Sequence, residues 1–256
     1  MEKFARLAAT AAIASLILGA FPMARADTAE LKILAGGGIT GPLNALAPEF
    51  EHATGQKVTI TYDATPGLIK RSQSEPFDLC VCPREVYADA TARVKFAPGP
   101  TVDVARVGFG IAVRSGAAKP DISTPDKLKA ALLAAKTISF LPASAAGAQV
   151  IKVFERLGIA DEMKAKTKVQ TTPAAIPQAV ANGEAELAIF LINVLAAPGV
   201  DVVGPLPAEI NPELVFAAAL AAEPGNAAGA KAFVDHLKSP AGVQAIKAKG
   251  MEPAAR

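Results

Sequence analysis

Short apolar runs alternate with amphipathic stretches along most of the chain. Six of these runs have the length and the Val, Ile, Leu and Thr content that are typical of β-strands. The pattern therefore predicts strands at 31–35, 58–62, 77–82, 107–113, 137–141 and 187–192.

The stretches between these runs have the period of a helix. After the first predicted strand, Leu43, Leu46 and Phe50 recur at spacings that place them on one helical face. Strands that alternate with helices indicate an α/β fold with mostly parallel strands and right-handed crossovers. Further helices are predicted near 66–74, 125–135, 147–157 and 174–182, with two more in 226–249 that meet at Ser239 and Pro240.

The first 26 residues have the three parts of a secretory signal peptide. A short basic lead, 1–6, precedes the apolar run 7–21, and Ala24-Arg25-Ala26 supplies small residues at the expected cleavage site. We expect cleavage after Ala26 and a periplasmic protein. No second run of about 18 apolar residues follows, so membrane insertion is not expected.

The charge balance excludes a strongly basic or acidic protein. The full chain has 26 Lys and Arg against 24 Asp and Glu, and loss of the signal peptide brings the net charge near zero. A neutral surface gives no electrostatic basis for binding nucleic acid. We expect a monomer with neither a nucleic-acid partner nor a cofactor.

Two cysteines, Cys80 and Cys82, fall in one predicted strand. Residues two apart in a strand are about 6.6 Å from each other, which is the outer limit for a disulfide. Two thiols without a nearby His also fall short of a zinc site. We interpret the pair as small side chains on one buried strand face, and we expect no metal site.

A glycine-rich turn follows the first predicted strand. Gly36, Gly38 and Gly41 match the G-x-G-x-x-G pattern of dinucleotide-binding turns, and Asp63 ends the next strand. Free nicotinamide cofactors are not expected in a periplasm, so we do not assign a dinucleotide. The turn still leads into a helix, and the first N–H groups of a helix have no acceptor within it and attract anions.

Two further helix starts share this property. Thr65-Pro66-Gly67 follows the second strand, with a capping Thr and a Pro suited to the first helical turn. Ser144-Ala145-Ala146-Gly147 follows the strand at 137–141. A helix cap without a ligand explains each of them equally well. Because they follow strand ends, where open α/β sheets bind ligands, we take them as candidate anion sites.

Several motifs occur in a fixed order along the chain. They include Leu34-Ala35-Gly36-Gly37-Gly38-Ile39-Thr40, Thr54-Gly55-Gln56-Lys57-Val58, Phe77-Asp78-Leu79, Ala145-Ala146-Gly147 and the segment from Ala232 to Pro240. In this order the motifs resemble those of the periplasmic molybdate-binding proteins of ABC importers, which have the type II periplasmic binding protein fold. The resemblance covers the chain after the signal peptide.

The resemblance implies two α/β lobes, each a mostly parallel sheet flanked by helices. A ligand cleft between the lobes would close by a hinge motion. One lobe would comprise 27–106 plus 202–256, and the other 107–201. The resemblance also implies a small anionic solute as the ligand and an ABC permease subunit as a partner.

The resemblance further implies the ligand-binding positions, and some of them differ from the family pattern. The family usually has Ser where this chain has Gly38 and Tyr where it has Leu191, whereas Ala146 matches. The set of hydroxyl donors for a tetrahedral oxyanion is therefore smaller here. The candidate ligand-binding residues are Gly37, Gly38, Ile39, Thr40, Thr65, Pro66, Gly67, Arg84, Ser144, Ala145, Ala146, Gly147 and Leu191.

Two functions of different classes follow from these features. The first is a solute-binding protein, without catalytic residues, that delivers a molybdate-like oxyanion or a carboxylate to an ABC importer. The second follows from periplasmic aconitate isomerases, which resemble the same branch of the fold and move a proton within a tricarboxylate. Such an enzyme needs cationic anchors, for which Lys70, Arg71 and Arg84 are available. Its base would be Tyr62, Asp63 or Asp78. A sensor that serves no transporter is a third alternative.

Overall fold

The computed structural model describes residues 30–254. The predicted signal peptide and its cleavage site lie outside this range. Strands and helices alternate along the described part of the chain, as the pattern of apolar runs predicts. None of the described helices has the length and apolar content that are needed to cross a membrane.

The strands of the described chain form one sheet. They are β1 (Leu31–Gly36), β2 (Val58–Asp63), β3 (Leu79–Pro83), β4 (Val102–Arg114), β5 (Ile138–Phe140), β6 (Thr167–Val169), β7 (Leu187–Leu191), β8 (Val200–Pro205), β9 (Glu213–Leu220) and β10 (Glu252–Pro253). The strand order is β2-β1-β3-β9-β4-β7-β5-β6, and β8 and β10 also pair with β4.

Helices flank the sheet. They are α1 (Thr40–Thr54), α2 (Thr65–Ser74), α3 (Arg84–Ala88), α4 (Pro125–Ala134), α5 (Ala145–Leu157), α6 (Ala160–Lys166), α7 (Ala175–Ala181), α8 (Ile192–Leu195), α9 (Ala227–Lys238) and α10 (Pro240–Ala248). A 3₁₀ turn, Gly37–Ile39, joins β1 to α1. The predicted break at Ser239 and Pro240 is confirmed: the Ser239 hydroxyl caps α10 by accepting a hydrogen bond from Gly242 N–H.

Two parallel groups of strands are joined through antiparallel ones. β1 pairs in parallel with β2 and β3, and β5 pairs in parallel with β6 and β7. The long strand β4 pairs antiparallel with β9 along 102–108 and with β7 along 109–113, while β9 pairs antiparallel with β3. We call β1–β3 with α1, α2, α9 and α10 the first half, and β5–β7 with α4–α8 the second half.

This pairing directs both groups of strands toward one place. β3 runs in the same direction as β4, so the carboxyl ends of the first half point along β4 toward the second half. β7 runs against β4, so the carboxyl ends of the second half point back toward the first. The loops that follow the strands of both halves therefore meet between them.

The predicted α/β fold class is confirmed, although the antiparallel strands were not all anticipated. The expected strand at 107–113 is the second part of the longer β4. The pattern did not indicate β9, in which Ala217, Ala218 and Ala219 have low intrinsic strand propensity. This strand forms because it pairs with β3 on one side and with β4 on the other.

Large aromatic side chains connect the halves. Phe109 on β4, Phe216 on β9 and Phe190 on β7 are at most 1% exposed, and each contributes about 1.5–3 kcal/mol by burial. In the first half, α1 packs against α9 and α10. Phe50 and Phe233 meet there edge to face, with ring centroids 5.1 Å apart.

Cys80 and Cys82 are buried free thiols on β3. Their Sγ atoms are 2.9 Å apart, and both pack in a small apolar cluster that includes Phe77 and Phe96. Burial, together with the contact with Cys80, raises the pKa of the Cys82 thiol well above its ordinary value. The folded protein therefore favours the neutral thiol.

We expect this burial to make stability sensitive to alkaline pH. A thiol whose pKa is raised by folding stabilises the protein fully below the unfolded pKa of about 8.5, and this contribution declines as the pH rises from there toward the folded pKa. Cys82→Ala should remove the part of the decline in the free energy of unfolding that comes from this thiol. Denaturant titrations of both proteins from about pH 7 to about pH 10 measure the difference. Equal pH slopes for the two proteins would contradict the expectation.

Candidate functional site

A cavity of about 30 Å³ lies between the halves, where the carboxyl ends of β1, β2, β3 and β7 meet. Open α/β sheets bind ligands at such an edge. The walls are mainly apolar and include Leu68, Leu141, Phe190, Leu214 and Phe216.

Two helix starts from opposite halves line this cavity. Gly38 lies in the turn before α1, and Ala146 lies in the first turn of α5. The first N–H groups of a helix have no acceptor within the helix, and among residues 30–254 neither of these two N–H groups finds an acceptor elsewhere. Both residues are buried. The N–H groups therefore favour an anion or another acceptor beside them.

A hydrogen bond between the halves closes one side of the cavity. Ala145, the first residue of α5, donates its N–H to the Thr65 hydroxyl at the start of α2, at 2.9 Å. The Ser144 hydroxyl is engaged within its own turn, since it accepts from Gly147 N–H and donates to the Leu141 carbonyl, both at 2.9 Å. Ser144 therefore caps α5, as the sequence indicates, and its hydroxyl is already paired.

Asp63 supplies the charged group of the cavity wall. Its Oδ1 accepts from Ala64 N–H and its Oδ2 accepts from Arg71 Nε, both at 2.8 Å. A Cβ atom on Gly67 would lie 2.2 Å from the same carboxylate, so this position has room for glycine alone. The Asp63 carboxylate therefore occupies the N-terminal end of α2, where an external anion would otherwise be attracted.

The glycine-rich turn lies directly against the second half. A Cβ atom on Gly37 would be 2.9 Å from Cγ of Pro173, and one on Gly38 would be 2.7 Å from Cδ1 of Leu191. Asn193 also donates its Nδ2 to the Gly38 carbonyl at 2.8 Å. Glycine at both positions therefore permits close contact between the halves. Leu191 fills the space in which the resemblance implies a Tyr.

The predicted ligand-binding residues fall into three groups. Six of them line the cavity, namely Gly37, Gly38, Thr65, Ser144, Ala146 and Leu191. Ala145 lies beside it through the bond to Thr65, and Thr40 lines a neighbouring groove. Ile39, Pro66, Gly67, Arg84 and Gly147 line neither space.

The three candidate cationic anchors do not converge on the cavity. Arg71 pairs with Asp63, and this hydrogen bond raises the pKa of Arg71. Arg84 pairs with Asp103 instead of facing the cavity. Lys70 is exposed on α2. Residue type was enough to identify these three charged side chains. The carboxylates that pair with Arg71 and Arg84 lie on other elements, so residue type could not show that the two arginines are already engaged.

Of the three candidate bases, only Asp63 lines the cavity. The Tyr62 hydroxyl donates to a side-chain oxygen on α1, and burial raises the pKa of Tyr62 to about 12. Asp78 is 4% exposed and accepts from the N–H groups of Lys32 and Asn226, both at 2.8 Å. Asp78 therefore has a structural role, which is to join β1 to the loop before α9.

Two groups of parallel strands whose carboxyl ends meet at a cavity define an α/β binding protein of the two-lobe periplasmic type. Residues 31–252 match the family described as bacterial extracellular solute-binding protein, and the chain belongs to this family.

The relatives include a protein named as an enzyme and a protein named as a binding protein. A Pseudomonas protein named aconitate isomerase is 30% identical over 256 residues, which cover 95% of this chain and 96% of that protein. The molybdate-binding protein ModA of Azotobacter vinelandii is 27% identical over 233 residues, which cover 88% of this chain and 90% of that protein. A solved structure of the Azotobacter vinelandii periplasmic molybdate-binding protein matches with a TM-score of 0.74 at 19% identity, covering 89% of this chain and 100% of that one. The expected resemblance to molybdate-binding proteins and to aconitate isomerase is confirmed.

We expect Asp78→Asn to lower stability without involving the cavity. Asparagine has one side-chain oxygen, so one of the two N–H groups now paired with the buried Asp78 carboxylate loses its partner, at a cost of about 1 kcal/mol or more. The melting temperature should fall by several degrees. Asp235→Asn, at an exposed position on α9, is the matched control and should change the free energy of unfolding by less than about 0.5 kcal/mol. Equal melting temperatures for the two variants would contradict the structural role of Asp78.

Proposed function

We propose that this protein is an extracytoplasmic solute-binding protein that captures a small anion, an oxyanion or a carboxylate, between its halves and delivers it to an ABC permease. The halves would act as lobes, with 27–106 plus 202–256 in one and 107–201 in the other. Membership of a solute-binding family supports the binding role. The signal-peptide pattern of residues 1–26 supports export to the periplasm.

The observation that carries the proposal is the pair of N–H groups on Gly38 and Ala146. They belong to opposite halves, and neither has an acceptor among residues 30–254. A buried donor without an acceptor costs free energy, so an anion placed between them would satisfy both groups and join the halves. The apolar walls would strengthen the attraction, because charges interact more strongly where water is excluded.

Binding in this cavity requires the halves to separate first. The halves are in contact around the cavity, so an anion would enter between them when they separate. The bond between Ala145 and Thr65 would break on opening, and a ligand oxygen would then take the place of the Thr65 hydroxyl. β4 and β9 connect the halves and would carry the hinge motion.

Ala146→Pro removes one of the two N–H groups and should weaken anion binding. Proline is tolerated in the first turn of a helix, so α5 should still form. A hydrogen bond to a charged group contributes about 1.5–3 kcal/mol, which predicts an affinity loss of about 10- to 100-fold. Thermal-shift and calorimetric titrations with molybdate, tungstate, sulfate, phosphate, citrate and both aconitates would identify the anion and measure the loss.

Ala146→Gly is the matched control, because it retains the N–H group and removes only a methyl group. We expect it to bind close to the wild-type affinity. If the proline and glycine variants bind the anion equally well, the anion does not use this N–H group and the proposed site is wrong.

A second function, isomerisation of a tricarboxylate, is favoured by the position of Asp63. Its carboxylate lines the cavity, where Arg71 holds it, and the N–H groups of Gly38 and Ala146 line the same space. In this alternative, Asp63 would transfer a proton to or from a carbon atom of the tricarboxylate. The two N–H groups would stabilise the negative charge that develops on the substrate. The relative named aconitate isomerase supports this alternative.

Asp63→Asn separates the two functions. An isomerase should lose about 10²- to 10⁴-fold in turnover of aconitate, whereas a binding protein should keep its anion affinity or gain some, because a negative charge leaves the cavity. Glu75→Gln is the control, since Glu75 is the other partner of Arg71, at 2.6 Å, and does not line the cavity. Conversion between cis- and trans-aconitate would be followed beside binding. Wild-type protein that binds tricarboxylates without converting them would contradict the isomerase.

A further inference from the structure

A groove much larger than the cavity also lies between the two halves. Its volume is about 780 Å³, which is in the range of small-molecule sites. The first half contributes the start of α1 and the end of α10, and the second half contributes α7 and α8. Groove and cavity share Gly37, Gly38 and Pro173. The contact between Gly37 and Pro173 therefore separates the two spaces.

Among residues 30–254, Lys249 is the charged residue that lines the groove. No carboxylate lines it, and no acidic residue within 30–254 forms an ion pair with Lys249. The stem of the lysine packs along α1, because a Cβ atom on Gly41 would lie 3.3 Å from its Cγ. The groove therefore favours a ligand with negative charge and disfavours a cation.

The other walls of the groove are mainly apolar. Pro177, Ile192 and Val194 provide carbon surface from the second half. Of the polar groups nearby, the Thr40 hydroxyl donates to the Gly37 carbonyl and Asn193 Nδ2 donates to the Gly38 carbonyl. Asn193 Oδ1 is buried and has no partner among residues 30–254, but it is an acceptor and offers nothing to an anion. An inorganic oxyanion needs several donors, whereas Lys249 is the one charged donor among the groove residues within 30–254. A ligand with one anionic group and a carbon skeleton fits both the charge and the walls.

We propose that this groove is a second binding site, which takes a small organic carboxylate. The carboxylate pairs with Lys249, and the apolar chain lies against α7 and α8. The site goes beyond the anion cavity, because it has room for a ligand while the halves are in contact. Since both halves line the groove, an occupant stabilises that contact.

The test is an NMR titration of the ¹⁵N-labelled protein with butanoate, pentanoate and hexanoate, and with hexan-1-ol as the uncharged analogue. Chemical shifts should change at Gly41, Val194 and Gly250, which line the groove. Affinity should rise about three- to four-fold with each added methylene, and hexan-1-ol should bind more weakly than hexanoate. Shift changes confined to the cavity, or one affinity for all three acids, would overturn the proposal.

Variants test the anchor separately from the groove. Lys249→Gln keeps the stem and removes the charge, so it should weaken hexanoate about five-fold and leave hexan-1-ol unchanged. Lys247→Gln, at an exposed α10 position outside the groove, is the matched control. Ala196→Trp should fill the groove and abolish binding of both molecules, with circular dichroism to confirm folding. If Lys249→Gln binds hexanoate as Lys247→Gln does, the proposal is wrong.

Ala146→Pro distinguishes this site from the anion cavity. It should weaken ligands of the cavity while hexanoate still binds in the groove. If Ala146→Pro weakens hexanoate and Lys249→Gln does not, hexanoate binds in the cavity and the groove proposal fails, although the anion cavity stands.

Discussion

The pairing of β4 with β9 is the constraint on which the rest of the molecule depends. Because β9 pairs with the first part of β4 and β7 with the second, the two parallel groups lie in succession along one strand. Their opposite directions turn both sets of carboxyl ends inward. Every feature of the candidate site follows from this arrangement, since each helix start at the cavity comes directly after a strand end. A fully parallel sheet would have left these helix starts on one outer edge.

The chemistry of the cavity combines donors and a carboxylate within apolar walls. Unpaired N–H groups on Gly38 and Ala146 attract negative charge, whereas Asp63 repels it unless Arg71 neutralises the carboxylate. A doubly charged oxyanion therefore meets a less favourable field here than in a cavity lined by hydroxyl donors. In the proposed isomerase, Asp63 would be the proton acceptor. The same residues therefore enter both proposed functions, as an anion site in the first and as a base with two donors in the second.

Local sequence patterns were sufficient for elements whose signals are short-range. The cap at Ser144, the break at Ser239 and Pro240, and the glycine-rich turn each need only a few neighbouring residues. Five of the predicted ligand positions line the cavity because they follow strand ends, whereas Leu191, the last residue of β7, was expected there only from the family resemblance. β9 and the engagement of Arg71 and Arg84 by carboxylates depend on partners distant in the sequence. Lys249 reaches the groove only through the packing of α10 against α1, and no local pattern marks it.

The contact between the halves includes one buried polar atom without a partner in the described chain. Asn193 donates to the Gly38 carbonyl, but its Oδ1 atom is buried and has no hydrogen-bond partner among residues 30–254. A buried acceptor without a partner costs about 1–3 kcal/mol, whereas a typical hydrogen bond contributes about 0.5–1.5 kcal/mol. This orphaned oxygen therefore offsets part of what the bonds of Asn193 and Thr65 contribute across the halves, while the apolar contacts of Gly37 and Gly38 with the second half remain. A ligand that binds the closed arrangement more tightly than the open one shifts the equilibrium between them toward the closed arrangement. The shift equals the difference between its two binding free energies.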